Sequence, residues 1–330
     1  MTSKAYRFRW LCFSLAVAAA ALLFTPAVRY TINAFRNPSE DLSHGWLVPL
    51  VSAYAVWRCR ADLRTTAGAP DARGLAAVLI CLALYWLGTR GGDQQARLTQ
   101  VAMAGAVVAL PFAFWGAGVV RHLWFPAAYL LFIVPMSFLN TFTIHLRLLA
   151  AGIASGLLNG MGIQVDRIGS ALASNGATGF QLDVADPCSG IRSIFALAAL
   201  TAAYAYFTQK TAWRRCLLFA CAVPLAILGN IVRIVSIALV AHWMGQEKAV
   251  GFYHDYSGYV VFTVAVLLMV QVGIWLDRSD PKRAAANAPI AAPPPTATRP
   301  PGKYAWLVCA AVPALLITVW LAIPRSSHLH

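Results

Sequence analysis

The chain has 330 residues, of which 59% are hydrophobic and 12% charged, with a mean hydropathy of +0.64. That balance excludes an ordinary water-soluble globule and describes a multi-pass membrane protein. The formal charge of +14 does not point to nucleic acid, because the basic residues are scattered through short loops between apolar runs and read as topology signals.

Apolar runs of roughly 17 to 25 residues recur, the length that crosses about 30 Å of hydrocarbon at about 1.5 Å per residue, so an all-α transmembrane bundle rather than a barrel is expected. About nine crossings are expected, eight in a core and one at the C-terminus. The first, Trp10 to Val28, follows Lys4, Arg7 and Arg9. It could be a signal peptide, but its length and the many later spans favour a retained anchor. With the N-terminus cytoplasmic, residues 29–43 lie outside, and a second span from about Trp46 returns to Arg58, Arg60, Arg64 and Arg73. A third span (about 74–89) leads to an outer loop holding Asp93, a fourth (about 99–115) returns near Arg121, and a fifth (about 123–139) exits.

Residues 141–187 then fall outside. TIHLRLLAAGIASGLLNGMG is expected to be an amphipathic helix at the interface, and IQVDRIGSALASNGATGFQLDVADP two short strands forming a hairpin around Asn175-Gly176. A sixth span (about 190–207) returns to Lys210, Arg214 and Arg215, and a seventh (about 217–243) exits to a loop with Glu247, His254 and Asp255. An eighth (about 257–276) returns to Arg278, Lys282 and Arg283. The domain reading is a transmembrane catalytic domain over 1–278, a Pro/Ala-rich cytoplasmic linker over 279–303, and an additional transmembrane helix with a short tail over 304–330.

Cysteines 12, 59, 81, 188, 216, 221 and 309 show neither metal spacing nor obvious pairs. No disulfide framework, metal or other cofactor is expected. One thiol stands apart. If Asp186 is the N-cap and Pro187 the first helical residue, Cys188 lies in the first turn of a helix, where free N–H groups and the dipole lower a thiol pKa.

Arg233 interrupts the apolar seventh span in GNIVRIV, and Asn230 shares its face. Counting from Leu217 places it roughly 24 Å up a core of about 30 Å. It either snorkels to the outer interface or faces the bundle and holds a negative charge. His254, in FYHDYSGYVVF, precedes the eighth span on the same outer side. Segmentation and charge bias thus put Cys188, Arg233 and His254 at one depth on three spans. A thiolate can attack a carbonyl, an imidazole can move the proton, and a fixed cation can steady the oxyanion. No GxSxG, HExxH or intramembrane carboxylate cluster competes with acyl transfer through cysteine.

His44 beside Trp46 reads as an interfacial histidine or a substrate-binding one, and Asp186 as a helix cap or an orienter of His254. Arg192 could clamp substrate or contact lipid phosphate. Asn230 joins them as a substrate-binding candidate.

PCSGIRS, then NIVR, then HDYSGYVVF resemble the three signature blocks of the exosortase/archaeosortase family, and SHGWLVPLVSAYAVWRCR, Gln94-Gln95 and WFPAAYLLFIVP are similar to further recurring segments. The resemblance covers roughly residues 40–276. It implies an enzyme of the bacterial cytoplasmic membrane that cuts secreted proteins at a C-terminal sorting tail: a short motif, often Pro-Glu-Pro-like, then a transmembrane helix and a basic end. By the same resemblance Cys188 is the nucleophile, Arg233 the oxyanion or substrate clamp, and His254 the general acid/base. The implied partners are tail-bearing proteins, the bilayer and an acyl acceptor that the sequence does not name, with no nucleic acid. Two rival classes remain: a transporter or flippase, which intramembrane Arg and Asn would suit, and a non-catalytic scaffold for envelope polysaccharide assembly.

Overall fold

The computed structural model describes residues 3–36, 43–90, 93–134, 140–174, 179–183, 191–278 and 305–322. The chain forms two compact units, residues 1–135 with 290–330, and residues 136–289.

The first unit begins with α1 (Ser3–Leu23) and α2 (Thr25–Arg36). One continuous span was expected here. Pro26 has no N–H to give to the Leu22 carbonyl, and the helix breaks at Phe24. The Tyr85 hydroxyl donates to the Leu23 carbonyl at 2.6 Å, satisfying a helix-end acceptor at that break.

After a single turn at Ser43–Trp46 come α3 (Leu47–Arg58) and α4 (Arg60–Thr66). Next are α5 (Ala72–Arg90), α6 (Asp93–Trp115) and α7 (Val120–Leu130). Helices α5 and α6 pack so closely that Gly74 lies directly on the backbone of Ala113, with no room for a side chain. Pro126 inside α7 leaves the His122 carbonyl without its helical donor. The Cys59 thiol approaches that carbonyl at 3.8 Å, while Ser52 of α3 donates to the Pro126 carbonyl at 2.9 Å. Arg9, only 7% exposed, donates to the Gly68 carbonyl at 2.9 Å and stands over the Trp115 ring.

The second unit starts with α8 (Asn140–Gly160). A three-stranded antiparallel sheet follows: β1 (Asp166–Ile168), β2 (Ala171–Ser174) and β3 (Phe180–Asp183), in the order β1-β2-β3. Two strands were expected. The β2/β3 pair flanks Asn175-Gly176 in the register Ser174 opposite Phe180, and the extra strand arises because Gly169, at φ +64°, and Ser170 turn the chain back on itself. Then come α9 (Ile191–Thr208) and α10 (Ala212–Met244). The short α11 (Gln246–Lys248) runs through a wide turn at Ala249–Tyr253 into α12 (His254–Arg278).

Among the described residues, separate clusters of buried side chains hold this unit, one of them Ala205 of α9, Leu218 of α10, and Met269 and Leu276 of α12. Ala150, Ala154 and Leu158 of α8 pack with Leu172, Phe180 and Leu182 of the sheet against Ile231, Ile234, Ile237 and Ala238 in the C-terminal half of α10. Nearer the N-terminal end of α10, Leu197 of α9, Ala222 and Ala226 of α10, and Ala265 of α12 form another cluster. Small residues bring α10 and α12 together, as is usual between membrane helices: a Cβ on Gly229 would stand 3.0 Å from a Val261 methyl.

The chain ends with α13 (Ala305–Ala322), which belongs to the first unit. It buries Cys309, Val312 and Leu316 in the same cluster as Cys12, Ala16 and Ala19 of α1.

Five of the described helices are long and apolar enough to cross a membrane: Lys4–Leu23, Ala72–Arg90, Arg97–Trp115, Ala212–Met244 and Tyr256–Arg278. Shorter apolar helices occupy Ala117–Ile133, Ile194–Thr208 and Ala305–Leu321. The chain is a multi-pass helical membrane protein with a small sheet.

Candidate active site

Arg233 lies in the C-terminal half of α10, and its carbonyl accepts a hydrogen bond from Ser236 at 2.8 Å. The guanidinium turns toward α12. Its Cζ and Nη2 are each 3.4 Å, and its Nε 3.7 Å, from the place a Cβ on Gly258 would occupy. Of the two orientations left open by the sequence, the structure has the inward one: the planar cation lies against a stretch of α12 backbone that Gly258 leaves bare.

Arg233 and Gly258 stand at one end of a narrow cleft between α9, α10 and α12 whose free volume is about 20 Å³, room for roughly one water molecule. Asn230, one turn earlier on α10, lines the same cleft, and Leu197, Ala226, Val261, Phe262 and Ala265 make its remaining wall apolar. The cleft thus has polar side chains at one end and an apolar groove below. A guanidinium held there is worth more to a developing negative charge than the same group in water, because it is already oriented and partly desolvated.

His254 is the first residue of α12, one helical turn before Gly258. It was expected in the loop ahead of that helix. Its backbone is therefore fixed near the Arg233 end of the cleft, while its side chain lies outside the described part of the structure. Arg192 falls in the first turn of α9, again with backbone alone described. Cys188 and Asp186 lie outside the described residues: β3 ends at Asp183 and α9 begins at Ile191. His44 belongs to the other unit, in the turn at Ser43–Trp46, half-buried, beside a tight contact of Gly45 with the Phe35 ring. Among the described residues, no cluster of three metal-ligating side chains occurs and six cysteines are free.

Gly258 is a position beside the candidate site that residue-by-residue reading did not single out. Its signal was present, since a glycine one turn after a candidate histidine marks a place where another group must come close. Gln246 was missed as well. Its side-chain amide donates to the Gln181 carbonyl of β3 at 2.9 Å and accepts from the Gln181 N–H at 3.1 Å.

A polar-headed cleft inside a bundle of membrane helices defines a class, the multi-pass membrane proteins with an intrabundle site. Comparison with protein families narrows it: the model described as "Transmembrane exosortase (Exosortase_EpsH)" matches residues 33–271, well over half of the chain, and the chain belongs to that family. Comparison with curated proteins and with solved structures found no match.

Proposed function

We propose that this exosortase-family chain is a membrane-embedded cysteine protease/transpeptidase that removes the C-terminal sorting tail of secreted proteins, in the service of envelope or exopolysaccharide biology. The tail it takes carries a Pro-Glu-Pro-like motif, a transmembrane helix and a basic end. Cys188 gives its proton to His254 and attacks the scissile carbonyl. The oxyanion of the tetrahedral intermediate is held by Arg233. Collapse of that intermediate breaks the peptide C–N bond, His254 returns the proton to the leaving amine, and a thioester remains on Cys188. Water or an amine then resolves the thioester. Anchoring enzyme and substrate in one bilayer confines the search and orients the bond to be cut.

The observation that supports this reading best is the inward Arg233, seated on Gly258 one turn beyond His254. It favours catalysis over the scaffold, which needs no oriented cation. We place the protein in the bacterial inner membrane with its N-terminus in the cytoplasm, about nine crossings, and the site facing the periplasm, in keeping with the basic clusters at Arg58–Arg64, Arg214-Arg215 and Arg278.

The test is to express a tail-bearing secreted protein with the wild-type enzyme and with Cys188→Ala and Arg233→Ala forms, following tail loss on a gel. Both variants should leave the tail in place, and hydroxylamine should capture the wild-type thioester as a hydroxamate. Normal processing by both variants would remove the assignment of roles.

A further inference from the structure

We propose that Gln246 is a positioning residue for the reaction described above: its carboxamide fastens the strand leading into Cys188 to the segment leading into His254. The inference rests on the roles given to those two residues. The geometry that carries it is a two-point contact. The Gln246 Nε2 donates to the Gln181 carbonyl at 2.9 Å, and the Gln181 N–H donates to the Gln246 Oε1 at 3.1 Å.

In the β2/β3 register Gln181 stands opposite Ala173. Antiparallel pairs alternate between residues that bond across the ladder and residues whose backbone groups face away. Gln181 is of the second kind, and Gln246 supplies the donor and acceptor that a neighbouring strand would. Beyond Gln181, β3 ends at Asp183 and the chain continues to Cys188. Beyond Gln246, α11 and the turn at Ala249–Tyr253 lead into His254.

Each tied segment is anchored in the same core, through Phe180 and Leu182 on one side and Ala249 on the other. Gln181 and Gln246 themselves are exposed. The pair therefore contributes alignment rather than buried area. Catalysis is more sensitive to alignment than folding is, since a misplacement of about 1 Å can cost on the order of 10²-fold in rate.

The experiment uses the full-length enzyme in membranes with a tail-bearing substrate, and measures kcat, KM and thermal midpoint for wild type, Gln246→Ala, Gln246→Glu and Cys188→Ala. Gln246→Ala should lower kcat about tenfold or more, with KM and thermal midpoint unchanged. A glutamate at 246 accepts from the Gln181 N–H but, when ionised, presents a second acceptor to the Gln181 carbonyl. Protonated, it again offers one donor and one acceptor. The ratio of its kcat to that of wild type should therefore climb as pH falls through the ordinary glutamate range near about 4.3.

With Cys188→Ala inactive, a Gln246→Ala enzyme that runs at or above the wild-type rate overturns the inference and leaves the proposed function standing. So does a loss of rate that only follows a loss of thermal stability. Normal processing by Cys188→Ala overturns the proposed function and this inference with it.

Discussion

The guanidinium of Arg233 rests on Gly258, its Cζ 3.4 Å from where a side chain would begin. An arginine in an apolar helix is costly unless something receives it, and here Gly258 on the facing helix leaves the space. The contact is ordinary for a methyl group, and a bulky side chain branching toward Arg233 must displace the cation. Gly258→Ala should therefore keep most of the tail-processing rate, whereas Gly258→Leu should reduce it at least about a hundredfold, the loss expected when an oxyanion donor is displaced. Quantifying tail loss for both variants, at matched protein levels, checks the order.

Arg233→Lys separates charge from shape. Lysine keeps the charge but loses the planar fork, so processing should fall by about the 10²–10³-fold of a lost oxyanion donor. Arg233→Lys and Arg233→Gln should be similarly slow. Near wild-type activity in the lysine form would show that charge alone suffices.

Tyr85 spans the break between α1 and α2 by donating to the Leu23 carbonyl. Tyr85→Phe leaves that acceptor buried without its donor and should cost about 1–3 kcal/mol. The readout is the thermal midpoint in detergent, and tail processing below that midpoint should be unchanged.

Gly74 presses on the Ala113 backbone. Backbone cannot yield as a side-chain tip can, so even Gly74→Ala must push α5 from α6. The expected cost is at least about 1–3 kcal/mol, typical of overpacking, measured as a lower thermal midpoint. By contrast Gly156→Ala, at a position with open space around it, should be neutral or slightly stabilising through helix propensity.

Leu316 is 2% exposed in the cluster that joins α13 to α1. Leu316→Ala should destabilise by about 2–5 kcal/mol without changing kcat per folded enzyme, because every residue given a catalytic role lies in the other unit. Circular dichroism melts alongside processing assays test both halves of that statement.

Hydrophobic run length and the siting of basic residues made the class legible, because a bilayer imposes length and charge rules that act on each segment alone. Arg233 was legible for the same reason, since an arginine is conspicuous wherever its apolar helix lies. What that arginine touches was not legible, since the Gly258 seat depends on the rotation of α12 against α10, which no local pattern encodes. The third strand was missed although Gly169-Ser170 is a two-residue turn signal, because IQVDRIGSALAS alternates weakly enough to read as one strand. The break at Phe24 carried a signal in Pro26, but a long apolar run invites reading across it. The docking of α13 on α1 had no signal, as the Pro/Ala-rich stretch before it says nothing of where it leads.

Asn159 repeats the Gln246 arrangement at the opposite margin of the sheet, accepting from the Val165 N–H at 2.8 Å and donating to its carbonyl at 3.1 Å, just ahead of β1. A three-stranded ribbon has two open margins, and unclaimed peptide groups there invite cross-pairing between molecules. Proteins confined to a crowded two-dimensional film meet their own copies constantly. By engaging a peptide unit beside each outer strand with a carboxamide, the fold adds to the charges of Asp166, Arg167 and Asp183 on those strands in discouraging neighbours from zipping together through their ribbons.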